Sequence, residues 1–139
     1  MSVTIPDSHK DLIEGPVYAV LTTLMPDGRP QSTVVWANTD GQHVLVNTAA
    51  GRQKDKNMRA NPMVSLVAID PQNPYRWIEV RGEVAEMTEN GGVEHINELA
   101  RLYVNAPEYY GHAAPEELRG KETRVKIKVR PVKVTTFGE

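Results

Sequence analysis

The sequence contains no cysteine, which excludes disulfides, thiolate zinc sites and cysteine nucleophiles. It has no apolar run near the ~18 residues of a membrane-spanning helix, and its first residues, MSVTIPDSHK, have no apolar core of signal-peptide length. Neither sign of charge dominates, because 16 Lys and Arg face 18 Asp and Glu for a net charge of −2. We therefore expect a cytoplasmic protein that binds neither nucleic acids nor membranes.

The common catalytic signatures are also missing. Neither glycine-rich phosphate motif, G-x-G-x-x-G or G-x-x-x-x-G-K, occurs, and no serine lies in a G-x-S-x-G elbow. The histidines have no partner at i+2 or i+4, the local pattern that metal ligands usually show; they are His9, His43, His95 and His112. We predict no metal site, and surface or structural roles for all four.

The patterns that are present predict a mainly β protein with short helices. At 139 residues the chain is expected to form one domain, residues 1–139. Asp27-Gly28 and Asp40-Gly41 indicate tight turns, since glycine tolerates the positive φ that such turns need. Runs rich in β-branched and aromatic residues predict six antiparallel strands, at 17–25, 30–38, 43–48, 63–70, 76–88 and 123–137. Six such strands fit a closed or half-closed β-barrel better than a sandwich.

Helices are expected between the strands. Apolar residues recur at helical spacing in VEHINELARLYVN, residues 93–105. A shorter helix is predicted around Lys54 to Met58, and Asn61-Pro62 ends it because the residue before proline avoids the α region. Residues 106–122 are predicted to be a loop with one helical turn near 115–118, and whether this loop forms a lid is left open.

The segment GRQKDKNMRANP is the strongest functional signal, with four cations in eight positions: Arg52, Lys54, Lys56 and Arg59. Arg52 and Lys54 follow a strand and lead into a helix, where free backbone amides favour an anion. An arginine fork with a lysine point charge suits a phosphate group. Asn47 and Thr48, which end the preceding strand, can add neutral hydrogen bonds. The alternative is a solvated helix face, which we adopt for Lys56 and Arg59.

This order of features resembles the split-barrel flavin and deazaflavin oxidoreductases, the superfamily named after pyridoxamine 5′-phosphate oxidase. The most specific match is R-x-K-x-x-N-M-x-x-N-P-x-V-S at 52–65. The matching segments span nearly the whole chain, and they are VLTTLMPDGRPQSTVVWAN, HVLVNTAAGRQKDKNMRANPMVSLV, YRWIEVRGEVAEM and TRVKIKVRPVKV. The resemblance implies a six-stranded antiparallel split β-barrel of the Greek-key, FMN-binding type, and a homodimer with the cofactor at its interface.

The resemblance also implies which residues contact the cofactor. Arg52 and Lys54 would hold its phosphate, with Asn57 from the same motif, while Asn47 and Thr48 would lie on the phosphate and ribityl side. Residues of the second strand would line the ring, namely Gln31, Ser32, Val34 and Trp36. Possible ring or substrate contacts are Trp77 and Tyr75, and packing in the barrel or dimer is the alternative for both tryptophans. No catalytic residue is identified.

The compact length and the K-x-x-N-M-R-x-N-P pattern look most like the branch of the family that uses the deazaflavin coenzyme F420. FMN is the alternative cofactor. We expect an oxidoreductase that carries out two-electron (hydride) reduction of a conjugated small molecule, with the chemistry supplied by the cofactor. Two alternatives are a flavin- or deazaflavin-binding protein without turnover and a nucleic-acid-binding barrel. The net negative charge disfavours the second of these.

Overall fold

A computed structural model of the protein describes residues 2–139, and this part of the chain contains one antiparallel sheet of seven strands. In chain order the elements are α1 (Asp11–Glu14), β1 (Ala19–Leu24), β2 (Pro30–Val35), β3 (Asn38–Thr39), β4 (Val44–Ala49), α2 (Gln53–Ala60), β5 (Met63–Ile69), β6 (Trp77–Thr88), α3 (Gly92–Val104), a 3₁₀ helix (Glu116–Leu118) and β7 (Arg124–Phe137). The mainly β, half-barrel architecture is confirmed, with one strand more than predicted. The additional strand is β3, a two-residue piece at the end of the predicted second strand.

The sheet closes on itself through the chain between β2 and β3. The strand order is β2-β1-β5-β6-β7-β4-β3, so β2 and β3 lie at opposite ends of the sheet. Only Trp36 and Ala37 separate these two strands in sequence. Because so short a link spans about 10 Å when fully extended, the sheet must curl until its two ends meet. We call the meeting point at Trp36 and Ala37 the seam.

One side chain of helix α3, Tyr103, binds the chain at the seam. Its hydroxyl accepts a hydrogen bond from the Ala37 N–H at 2.9 Å, and it can donate to the carbonyl of Ala37 at 2.7 Å or of Val17 at 2.8 Å. Its ring stacks on Trp36 with 5.4 Å between centroids and 16° between planes. The helix therefore supplies the polar partners that the sheet cannot provide where its ends meet.

The Tyr103→Phe variant is expected to lower the free energy of unfolding by about 1–3 kcal/mol, because it keeps the ring but removes the partner of buried backbone groups. Urea denaturation of both proteins measures the difference. Tyr75→Phe is the matched control, since the Tyr75 side chain is 74% exposed and makes no side-chain hydrogen bond within residues 2–139. Equal stability of Tyr103→Phe and wild type would show that the seam does not depend on this hydroxyl.

The barrel core comes from the alternation of side chains along the strands. Val44 and Val46 of β4 belong to the core cluster, as do Val125 and Ile127 of β7, and the residues between them point to the opposite face. The long strand β6 bends at Gly82, where its register to β7 shifts. A Cβ at Gly82 would lie 2.6 Å from the Arg130 carbonyl oxygen, so the close approach of the two strands there requires glycine.

The predicted helices are confirmed, and they frame one end of β4. Helix α3 packs against β7 and β4, and α2 packs against β1 and β4. The buried face of α3 contains His95, Ile96, Leu99 and Ala100. Within residues 2–139, none of the helices combines the length and the apolar character needed to cross a lipid bilayer.

Candidate functional site

A cavity of about 160 Å³ opens between β4, the loop into α2, helix α3 and the start of β7. Its polar wall consists of Asn47, Arg52, Lys54 and Arg124. Its apolar wall consists of Val34, Val35, Trp36, Ile96, Leu99 and Tyr109. The structure thus brings together five of the residues that the sequence predicted for cofactor binding, which are Val34, Trp36, Asn47, Arg52 and Lys54.

Local sequence explains how the basic pair reaches the cavity. After β4 the chain turns at Gly51, whose φ of 91° suits glycine, and Arg52 is the N-cap residue of α2. The Gly51 N–H donates to Asp55 Oδ2 at 2.9 Å, and the other oxygen of Asp55 accepts from Arg59 Nε at 3.0 Å. Arg59 therefore supports the loop instead of lining the cavity. Lys56 is exposed, as expected for a solvated helix face.

Arg124, at the start of β7, is a third cation in the wall, and it is only 4% exposed. Its Nε donates to Asn47 Oδ1 at 2.9 Å and its Nη1 to Glu122 Oε1 at 3.2 Å, while its guanidinium lies 5.0 Å from the Tyr109 ring centroid. No hydrogen bond within residues 2–139 uses its Nη2. Burial lowers the pKa of Lys54, and the charges of Arg52 and Arg124 lower it further. The three cations thus repel one another across a space that would accept an anion.

Asn47 owes its orientation to His95, which is 1% exposed. His95 Nε2 lies 2.9 Å from Asn38 Oδ1, and its Nδ1 lies 3.1 Å from Asn47 Nδ2. Since an amide oxygen accepts and an amide nitrogen donates, this network assigns the imidazole proton to Nε2. Burial lowers the pKa of His95 to about 4, with a further contribution from Lys126 and Arg124. His95 is therefore neutral at pH 7, and its buried hydrogen bonds to Asn38 and Asn47 fit a structural role.

Asn47 in turn positions Arg124. Its Nδ2 also donates to the Gly92 carbonyl at 2.9 Å, so both amide hydrogens and the oxygen of Asn47 already have partners in the protein. The sequence predicted Asn47 on the phosphate and ribityl side of a cofactor, and the structure places it in the cavity wall, where it also holds Arg124. Side chains along β4 point alternately to its two faces. The residue after Asn47, Thr48, therefore points into the barrel interior, as Val46 does.

Two further predicted residues, Asn57 and Gln31, lie outside the cavity. Asn57 is 2% exposed, and its Nδ2 donates to Thr23 Oγ1 at 3.0 Å and to Gln31 Oε1 at 3.4 Å. These contacts join α2 to β1 and β2. The N-M pair of the motif therefore serves the packing of α2, because Met58 beside Asn57 belongs to the core cluster.

The remaining predicted residues, Ser32, Trp77 and Tyr75, lie outside the cavity as well. Ser32 is exposed, and its hydroxyl pairs with Thr22 Oγ1 at 2.8 Å. Trp77 stacks on Phe137 with 5.8 Å between centroids, and Tyr75 is exposed in the loop before β6. The structure thus leaves Trp36 as the tryptophan of the cavity, with Tyr109 meeting it edge to face at 6.1 Å.

The sequence did not indicate Arg124 or Glu122 as site residues, and it indicated Tyr109 only as part of the segment 106–122, for which a lid was left open. Arg124 is the first of several cations that alternate with apolar residues along β7. In the sequence, nothing near Arg124 distinguishes it from the cations that follow, which a strand of this pattern exposes to solvent. Tyr109 and Glu122 belong to the irregular segment 106–122, whose predicted helical turn is confirmed as the 3₁₀ helix. That segment does reach the cavity, through the Tyr109 ring.

The residues present fit the phosphate end of a flavin-type cofactor. Three cationic side chains line the cavity, and within residues 2–139 each of them keeps N–H groups that make no hydrogen bond. Beside them lies an aromatic and aliphatic wall of the kind that a planar ring packs against. The wall continues to Val34, which is 66% exposed, so the cavity is open on the side where a larger ligand would extend.

Comparisons with known proteins show the family and the fold of this chain. The family model described as pyridoxamine 5′-phosphate oxidase matches residues 5–138. A solved structure described as an F420 reductase is 34% identical and covers 94% of this chain and 98% of its own, with a TM-score of 0.79. A conserved hypothetical protein from Mycobacterium tuberculosis, 23% identical, covers 98% of this chain and 86% of its own with a TM-score of 0.74, which shows the fold alone. Among curated proteins, none matches the sequence.

Proposed function

The chain belongs to the pyridoxamine 5′-phosphate oxidase family of split-barrel flavin oxidoreductases, and we propose that it is an F420-dependent reductase that transfers a hydride to a conjugated small molecule. The observation that carries this proposal is the convergence of Arg52, Lys54 and Arg124 on one cavity beside Trp36. The similarity to an F420 reductase over nearly the whole chain supports the choice of cofactor.

The proposed site divides the work between cofactor and protein. When bound, the deazaflavin would supply the hydride, and the proton that completes the reduction would come from the reduced cofactor or from solvent, so the protein itself would bind and orient the two reactants. Arg52, Lys54 and Arg124 would bind the phosphate, because charged forks and point charges are its strongest protein ligands. Trp36 and Val34 would orient the ring and exclude water from one of its faces.

We further propose that a second copy of the chain completes the site. Apolar side chains stand exposed on the outer face of β1, β2, β5 and β7, among them Val20, Val34, Met63, Ile69 and Val132. Exposed apolar side chains gathered on one face of a sheet are typical of a protein interface. Since Val34 belongs both to this face and to the cavity wall, a partner seated there would border the open side of the cavity. A solution mass equal to that of one 15.5 kDa chain would contradict a homodimer.

FMN is the second candidate cofactor, since it carries a phosphate that the same three cations would bind. The deciding experiment is a titration of the purified protein with F420 and, separately, with FMN, followed by fluorescence and calorimetry. We expect saturable binding of F420 that is at least about tenfold tighter than that of FMN, a difference of about 1.4 kcal/mol. Tighter binding of FMN would reverse the assignment, and binding of neither would contradict the proposed function.

A follow-up with the same samples separates an enzyme from a binding protein. The reduced cofactor is bound to the protein and mixed with a panel of conjugated acceptors, and its absorbance is followed with time. Oxidation that is faster than in the absence of protein indicates turnover. Tight binding without any such oxidation would favour the alternative of a cofactor-binding protein without turnover.

A further inference from the structure

Glu122 lies between two of the three cavity cations. Its Oε2 is 3.1 Å from Arg52 Nη2, and its Oε1 is 3.2 Å from Arg124 Nη1. Oε1 also accepts a hydrogen bond from the Tyr110 hydroxyl at 2.9 Å. The Glu122 side chain is 15% exposed, so a largely buried negative charge offsets part of the positive charge of Arg52 and Arg124.

The two oxygens of Glu122 have different surroundings. Oε1 is held by Arg124, whose side chain is 3% exposed and fixed by Asn47, and by Tyr110. Within residues 2–139, Oε2 forms an ion pair with Arg52 alone, whose side chain is 48% exposed. An ion pair exposed to this degree contributes little net free energy, whereas a buried charge cannot lose its partner without a large penalty. The Glu122–Arg52 contact is therefore the one that can break at low cost.

We propose that Glu122 is a resident counter-anion of the site, which a phosphate-class ligand displaces from Arg52 while Glu122 stays bound to Arg124. This inference rests on the proposed anion-binding role of Arg52 and Lys54. Burial alone would raise the pKa of Glu122, but the Tyr110 hydrogen bond and the Arg124 charge hold it below its usual value, so the carboxylate is ionised at neutral pH.

The exchange makes Glu122 a specificity-determining residue. An incoming anion must bind Arg52 better than a carboxylate already placed there, and it must tolerate the negative charge of Glu122 nearby. A phosphate meets the first condition because it offers several oxygens to Arg52, Lys54 and the free Nη2 of Arg124 together. A monovalent ion such as chloride carries less charge and has no separate oxygens to reach several donors, so the site favours phosphate over chloride.

The test compares Glu122→Gln with wild type in a titration with inorganic phosphate, followed by the NMR signals of the arginine Nε–H groups. The glutamine keeps an oxygen for Arg124 and Tyr110 but removes the charge that competes for Arg52. We expect it to bind phosphate about three- to tenfold more tightly, as the loss of one nearby charge at partial exposure predicts. The Arg52 signal of the free variant should also move toward its phosphate-bound position in wild type.

Glu117→Gln is the matched control, because it makes the same change of charge at an exposed residue of the 3₁₀ helix that has no side-chain hydrogen bond within residues 2–139. Its phosphate affinity is expected to stay within about twofold of wild type, since solvent screens an exposed charge. The same comparison is made with F420 and FMN, and it decides the question if inorganic phosphate alone is bound too weakly to measure.

The outcomes separate this inference from the proposed function. Unchanged or weaker anion binding by Glu122→Gln, with a cofactor bound by wild type, would overturn the counter-anion role and leave the function standing. Tighter phosphate binding by Glu122→Gln with neither cofactor bound would support the counter-anion role and contradict the function. If phosphate and both cofactors fail to bind either protein, both proposals fall.

Discussion

The Arg52→Ala/Lys54→Ala double variant is expected to bind its cofactor at least about 100-fold more weakly than wild type. A hydrogen bond to a charged group contributes about 1.5–3 kcal/mol, so the loss of two such groups removes at least about 3 kcal/mol of binding free energy. Arg124 alone would remain, and Glu122 already neutralises part of its charge. The F420 and FMN titrations, repeated with the variant, measure the effect.

The control for this variant is Lys10→Ala/Lys56→Ala, which removes two positive charges from exposed positions that do not line the cavity. It is expected to change the affinity by less than about threefold, because screened charges at a distance contribute little. A comparable loss in both double variants would mean that the net charge of the protein governs binding. In that case the basic pair would have no special role. Both variants should unfold at the same urea concentration as wild type within error.

Acid is expected to destabilise the protein through His95. The pKa of this buried imidazole is about 4 in the folded protein, whereas an unfolded histidine titrates near ~6.5. The unfolded chain therefore binds the extra proton more readily than the folded one. The stabilisation is complete above pH ~6.5 and is lost as the pH falls toward 4, where the loss reaches about 3 kcal/mol.

Urea unfolding between pH 7 and pH 4 measures this loss, and His95→Gln isolates it from the titration of carboxylates. The amide of glutamine can donate to Asn38 and accept from Asn47, but it does not take up a proton in this range. The free energy of unfolding of wild type should therefore fall about 3 kcal/mol further than that of the variant. Parallel pH profiles for the two proteins would exclude His95 as the source.

Local patterns predicted most elements of this fold but not their arrangement. The alternation in β6 and β7 and the helical spacing in α3 are properties of single segments, and the structure confirms them. The strand β3 was not separated from β2, because the chain leaves one end of the sheet and joins the other within Trp36 and Ala37. No periodicity in the sequence marks such a transfer, which depends on how far the whole sheet curls.

The residues of the candidate site also fall into those that a local pattern predicts and those that only the folded arrangement brings together. Arg52 and Lys54 could be found because they are neighbours in a local motif, and the structure places both on the cavity. Arg124 and Glu122 come from about 70 positions away, and each has an ordinary surface explanation when considered alone. Asn47 was predicted from its place at the end of a strand, whereas its contacts with Gly92 and His95 join segments far apart in the sequence, which no local pattern predicts.

The interior position of β7 in the sheet has a consequence for how the protein folds as it is synthesised. This strand pairs with β6 on one side and β4 on the other, and within residues 2–139 it is the only strand that joins β4 and β3 to the rest of the sheet. Val44 pairs with Val129, so the ribosome must synthesise and release most of the chain before the two parts of the sheet can meet. Until then the nascent barrel is two separate pieces with unpaired strands, which is the stage at which a chaperone would protect it from aggregation.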